Sequence, residues 1–224
     1  EARKMKATIN AHLTILRAVL AYAVERGILL RAPVVKNLKI HGMRERPFLS
    51  ADDARKLLSR RDEPVWWEAS LLALHTGMRI GEILALDWSA VHLDEERPYL
   101  VVVQNFSEKV LTSPKGNRPR RIPLTGEVQQ VLGRRRRPNG FVFGNADGSP
   151  RIRGNASEAL ARQCRRTGVQ PVGWHALRHS FCTYLYRGGA SPKAQQDLMG
   201  HVDFAQTLDY THLANLDDAV RGRV

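Results

Sequence analysis

Apolar residues at Ile9, Leu13, Leu16, Leu20 and Ala23 recur at three- and four-residue steps, the spacing that lines one face of an amphipathic helix. The pattern predicts that this helix ends near Gly27, since glycine tolerates the left-handed turn that closes a helix. Over residues 31–47 the periodicity is lost among prolines, a glycine and scattered basic residues, which reads as a connection with a boundary near residue 48. Ser50, Ala51, Asp52 and Asp53 then form a capping pattern ahead of a helix running through Leu58, because a serine oxygen and early acidic groups satisfy the free N–H groups of a first turn. Further helices are expected over 65–76 and from Arg79 onward, the latter carrying Ile80, Ile83, Leu84 and Leu86. Residues 99–103 and the flanks of the 115–121 turn are rich in β-branched residues, so a short antiparallel sheet with a hairpin is expected there. Helical spacing or a plausible cap returns over 125–133, 155–167, 174–187, 191–199 and 204–210. There is no internal repeat, and the one low-complexity run is the arginine stretch 134–137. The expected fold class is mainly α with a small antiparallel β-sheet, an α+β arrangement.

Composition narrows the partners. With 224 residues and 43% hydrophobic content the chain has enough apolar material for a proper core. Lysine and arginine number 35 against 22 acidic residues, a formal charge of +13, which attracts polyanions and makes nucleic acid the leading partner class over an anionic membrane surface. Cys164 and Cys182 lack the paired spacing of a metal knuckle or a disulfide framework, so reduced, buried thiols are expected. No apolar stretch is expected to be long enough to span a bilayer, and residues 1–6 lack the apolar core of a secretory signal. A soluble, intracellular protein without a membrane partner is the expectation. The first residue is Glu1 and a helical pattern starts at once, so the chain reads as a fragment of a longer protein.

Four short segments carry candidate chemistry. Thr76-Gly77-Met78-Arg79-Ile80-Gly81-Glu82 puts an arginine after a glycine turn, with an acid three residues on along the same helical face. Alone it reads more readily as a surface ion pair in a first turn. His175-Ala176-Leu177-Arg178-His179 places His175 and Arg178 on one side of a helix, with Leu177, Phe181 and Leu185 on another. His175 and His179 also have the spacing of two zinc ligands, but the glutamate of a zinc hydrolase is missing and Arg178 would set a permanent charge beside the metal. Leu198-Met199-Gly200-His201 ends a helix, and Leu208-Asp209-Tyr210-Thr211-His212 follows. A lone tyrosine such as Tyr210 is ordinarily a packed ring with one hydrogen bond.

Taken in order, Thr-Gly-x-Arg-x-Gly-Glu, a lysine before Ile122-Pro123-Leu124, His-x-x-Arg, Leu-Met-Gly-His and then tyrosine, the chain resembles the tyrosine recombinase family, the phage-integrase-like enzymes. The resemblance covers about residues 48–213, and residues 8–33 are similar to the last helix of the family's core DNA-binding domain. It implies the integrase catalytic fold of the DNA breaking-rejoining enzymes. It further implies three regions: 1–40, the C-terminal part of a truncated helical core-binding domain; 41–48, a linker; and 49–224, the catalytic domain. The implied activity is site-specific recombination of double-stranded DNA through a 3′-phosphotyrosyl intermediate, in DNA integration and recombination. The implied catalytic set is Arg79, Lys115, His175, Arg178, His201 and Tyr210. Tyr210 would be the nucleophile, Arg79 and Arg178 the clamp on the phosphate, Lys115 the acid for the leaving oxygen, His175 the proton acceptor and His201 a donor to phosphate. Glu82 is expected to hold this cluster in place. Arg118, Arg120 and Arg121 crowd the lysine's turn and are expected to be surface contacts to phosphate. The resemblance implies no metal and no cofactor, a protein monomeric in solution and tetrameric on DNA, and a cytoplasmic, nucleoid-associated location. A type IB topoisomerase and a catalytically inactive DNA-binding protein of the same fold are the alternatives.

Overall fold

The computed structural model describes residues 2–39, 47–107, 110–113 and 119–200. The chain divides into two compact units, Glu1–Glu45 and Arg46–Val224.

The first unit is built on α1 (Ala2–Glu25), closed by Gly27 in the left-handed region. The segment after the helix has no regular structure, yet it is tied back to it. Asn10 donates to the Leu38 carbonyl at 3.0 Å and accepts from the Leu38 N–H at 2.7 Å. Arg17 donates to the Val35 carbonyl at 3.1 Å and to Asn37 at 3.0 Å. Leu13, Leu20 and Ala23, on the face that Asn10 and Arg17 share, are partly covered, whereas Ile9, Ile15, Leu16, Val19 and Tyr22 are exposed. Apolar residues therefore occupy more of the helix than the single stripe the spacing predicts. With Arg17 as the one Lys, Arg, Asp or Glu between Ala7 and Val24, the stretch Met5–Glu25 is long and apolar enough to cross a membrane by length and composition. That corrects the expectation that no stretch reaches this length. The mixture of polar anchors and apolar surface is equally the make-up of a helix that packs in a small helical domain.

The second unit opens at Leu49, whose N–H donates to the Ser180 hydroxyl at 2.7 Å and whose carbonyl accepts from the Tyr184 hydroxyl at 2.8 Å. Helix α2 (Ala51–Leu57) follows, capped by the Ser50 oxygen on the Asp53 N–H as the sequence predicts. Helix α3 (Pro64–Thr76) is apolar almost all round and correspondingly buried, forming the pillar of the core. It closes on Gly77 at φ 62°. A short helix α4 (Ile80–Leu84) starts at once with Arg79 as its N-cap, and a 3₁₀ turn, Trp88–Ala90, leads into the strands.

Strands β1 (Val91–His92), β2 (Tyr99–Val102) and β5 (Arg120–Pro123) form one antiparallel sheet in the order β1-β2-β5. Its inward positions Leu100, Val102 and Ile122 are buried in the core. Strands β3 (Asn105–Ser107) and β4 (Val110–Thr112) pair as a separate two-stranded ribbon. The strands that flank residues 113–119 thus pair with different partners, β4 with β3 and β5 with β2, instead of with each other as the sequence suggests. Helices α5 (Gly126–Arg135), α6 (Arg153–Thr167), α7 (Trp174–Arg187) and α8 (Pro192–Met199) complete the unit. α7 packs along α3, and α8 along α7 and the start of β5. The helix expected over 204–210 lies outside the described residues. Cys164 and Cys182 are buried thiols outside any disulfide, on α6 and α7.

Candidate active site

Three helix termini and one strand start meet around Glu82. This carboxylate, in the first turn of α4, is 1% exposed, and a charge taken so far from water must be paired and hydrogen-bonded to persist. It is. The Arg79 N–H donates to Oε2 at 2.8 Å and Arg79 Nη1 to Oε1 at 2.8 Å. From the first residue of β5, Arg120 donates Nη1 to Oε1 at 3.0 Å and Nη2 to Oε2 at 2.5 Å, the parallel two-bond geometry that guanidinium and carboxylate favour. Burial by itself raises the Glu82 pKa, but the Arg120 hydrogen bonds and the charges of Arg120, Arg178 and Arg79 outweigh it and hold the carboxyl at about 2.

Arg178, on the second turn of α7, is 4% exposed. Its Nη1 donates to the Gly77 carbonyl and its Nη2 to the Met199 carbonyl, each at 2.5 Å. Those bonds aim it at the C-terminal ends of α3 and α8, where unsatisfied helix carbonyls favour a cation. Close approach of these elements depends on Gly77. A Cβ there would lie 2.4 Å from Phe181 Cδ1 and 2.9 Å from Met199 Sδ. Arg79 and Arg178, distant in sequence, are thereby brought to one locus, with three guanidiniums about one carboxylate. Local charge stays positive by two units, so the cluster is poised to receive an anion such as a phosphate diester.

His175 lies one turn before Arg178, exposed in the first turn of α7. Its ring is edge-on to that of His179 with centroids 6.3 Å apart. Among the described residues no group of three or more His, Cys, Asp or Glu is placed to hold a metal ion. Lys115, His201 and Tyr210 lie outside the described residues.

Two sequence readings change. Arg79 and Glu82 do pair, as the surface reading has it, but in a buried place. Arg120, expected as a surface phosphate contact, is buried and committed to Glu82 and, through Nε, to the Leu198 carbonyl at 2.9 Å. The signal was present: Ile122 faces the core, and a strand residue two positions earlier shares its face. Its neighbour Arg121 does point outward, over the Tyr99 ring.

A separate groove of about 700 Å³ is lined mainly by apolar residues of α2, α3 and α7, including Leu58, Leu74, Phe181 and Leu185. It contains none of the four residues of the charge cluster. His75 stands at its edge, where burial lowers the imidazole pKa and Glu127 opposes the shift.

Residues 47–216 match the family model described as the phage integrase family. Similar curated proteins include the tyrosine recombinase XerD of Listeria innocua, 30% identical over 231 residues, covering 95% of this chain and 74% of that protein. The tyrosine recombinase XerC of Xanthomonas axonopodis pv. citri is 28% identical, covering 96% and 72%. Among solved structures, the Tn1549 transposon integrase in complex with a circular intermediate DNA matches with a TM-score of 0.76 at 23% identity, over 91% of this chain and 74% of that one. A lambda integrase dimer bound to a core site matches with a TM-score of 0.71 at 21% identity, over 92% and 73%.

Proposed function

The chain belongs to the phage integrase family, the tyrosine-type site-specific recombinases, and from that premise we propose that it cuts and rejoins strands of duplex DNA through a covalent bond to Tyr210. The observation that carries this reading is the cluster of half-buried Arg79 and buried Arg120 and Arg178 about Glu82, which keeps an excess of positive charge where two arginines of the motif meet. In the reaction the Tyr210 phenol oxygen attacks a backbone phosphorus, and the bond from phosphorus to the 5′ oxygen breaks. The electron pair leaves with that oxygen, which takes a proton from Lys115 and becomes a free 5′-hydroxyl. A phenol titrates near ~10 and a 5′-alkoxide is far more basic, so both ends of the step need proton management at neutral pH. His175 accepts the phenol proton, a task an imidazole performs in this range.

Arg79 and Arg178 supply charge, since a guanidinium keeps its proton and presents forked donors to the non-bridging oxygens as negative charge builds. His201 adds a hydrogen bond to the same phosphate. The phosphotyrosyl ester conserves the energy of the broken diester, so a second 5′-hydroxyl reverses the step without a cofactor.

Duplex DNA as the substrate agrees with the transposon integrase and lambda integrase complexes, both solved on DNA, and assembly as four copies on it belongs to the same proposal. Relatives named for recombination favour strand exchange over relaxation of supercoils. Action on chromosomal or mobile-element DNA would place the protein in the cytoplasm, with the nucleoid. The test uses a pool of nicked duplexes of randomised sequence. The protein is expected to form a detergent-resistant adduct with part of that pool, and Tyr210→Phe to bind the pool equally and form none. Adduct formation that survives Tyr210→Phe contradicts the assignment.

A further inference from the structure

The mechanism above leaves Arg120 without a task, although its guanidinium is hydrogen-bonded on three sides. It is 8% exposed. It occupies both oxygens of Glu82 at 3.0 and 2.5 Å, and its Nε donates to the Leu198 carbonyl at 2.9 Å. Its side chain also lies flat against the turn that ends α8. A Cβ on Gly200, at φ +61°, would stand 3.1 Å from Arg120 Cδ and 3.1 Å from Nη1. One side chain thus bridges the start of α4, the end of α8 and the start of β5, the strand entered from the segment that carries Lys115.

A guanidinium in this position is poorly suited to hold DNA. Two of its N–H groups are spent on the two oxygens of the buried Glu82 carboxylate, so a phosphate would compete with a charged partner already in place, whereas the Gly77 and Met199 carbonyls that Arg178 bonds are neutral. Its geometry suits another role. Glu82 holds Arg79 by the side chain and by the backbone N–H, so whatever fixes Glu82 fixes Arg79. The Leu198 carbonyl and Gly200 are the last described points before His201, so whatever fixes them sets where the chain departs toward His201 and Tyr210.

We infer that Arg120 is a positioning residue for strand cleavage, setting the Arg79 guanidinium through Glu82 and the exit of the chain toward His201 through Leu198 and Gly200. This rests on the proposed recombinase reading, and the experiment separates the two. With the pool of nicked duplexes, equilibrium binding and the single-turnover rate of adduct formation at saturating DNA are measured for wild type, Arg120→Gln, Arg120→Lys, Glu82→Gln, the double variant Glu82→Gln/Arg120→Gln, and Arg121→Gln. Misplacing a clamp by an ångström costs about 10²-fold in rate.

Arg120→Gln is expected to bind within about twofold of wild type and to cleave roughly 10²-fold slower. Arg120→Lys, a point charge that cannot span both carboxylate oxygens and Leu198, should recover about tenfold of that loss. The double variant should be no slower than the worse single one, because both act through the same contact. Arg121→Gln, on the exposed side of β5, should bind more weakly and cleave at the wild-type rate once saturated. Gly200→Ala, which pushes a methyl into the Arg120 stem, provides a second route and should show the same split if Arg120→Gln fails to fold.

If Arg120→Gln instead weakens binding, flattens its salt dependence and leaves the saturated rate intact, it is a phosphate contact and the inference is wrong. Rate losses that multiply in the double variant also overturn it. If wild type binds the pool but forms no adduct, the recombinase reading itself fails.

Discussion

At the residue scale, Glu82 is the pivot. A carboxylate is expensive to bury, and its retention at 1% exposure means the surrounding guanidiniums repay the lost hydration. The folded pKa of about 2 lies below the ordinary 4.5, so the unfolded chain binds more protons than the folded one between those values. Stability from this group is therefore full above about pH 4.5 and is lost as the pH falls toward about 2. At about 1.4 kcal/mol per pH unit of separation, that is roughly 3 kcal/mol. Glu82→Gln should accordingly melt well below wild type at pH 7, and the gap should close progressively between pH 4.5 and 2. A gap that stays constant across that range contradicts a charged Glu82 in the folded state. The sequence made the Arg79–Glu82 pair legible from its spacing. It hid the burial, because nothing local says that Arg120 and Arg178 arrive from elsewhere in the chain.

At the element scale, the site depends on helix ends meeting. Gly77 lets α3 stop and α4 start within three residues while α7 and α8 press against the turn. Gly77→Ala forces a left-handed conformation on an alanine and drives its methyl into Phe181 and Met199. The strain and overpacking together cost about 3 kcal/mol, a fall of roughly 6–12 °C in Tm for a unit of this size. A melting temperature within about 2 °C of wild type would show that the junction yields easily.

Helices were the readable part of the fold. Ser50 and Ser191 announce their caps, and the 174–187 pattern matches α7 end for end. The sheet was only half readable. β2 and β5 alternate inward and outward residues, whereas Val110, Leu111 and Thr112 of β4 are all exposed and carry no alternation to betray their partner. Strand pairing is set by the whole unit, so local pattern could not assign β4 to β3 and β5 to β2.

At the scale of the whole molecule, the count of 35 lysines and arginines overstates the free positive surface. Arg135 is paired with Glu68, Arg136 with Asp94, and Arg162 with Glu63, so half of the 134–137 arginine run is answered within the fold. Binding to duplex DNA should still be dominated by phosphate contacts. If about six are made, affinity falls by roughly 10³ between 50 and 200 mM salt, as read by fluorescence anisotropy on the randomised pool. An affinity that barely changes over that range would point away from a DNA-tracking surface.

The proposed reaction needs a phosphate held by Arg79 and Arg178 and attacked by one phenol, and its most direct test is to locate the covalent bond. Adduct from the nicked pool is digested with protease and nuclease, and the nucleotide-bearing peptide is sequenced by mass spectrometry while the cleaved strand is assayed for a 5′-hydroxyl. The predicted result is a nucleotide attached through its 3′-phosphate to Tyr210, with a 5′-hydroxyl on the released end. Attachment to any other residue, or a 5′-phosphate on the released strand, would contradict it.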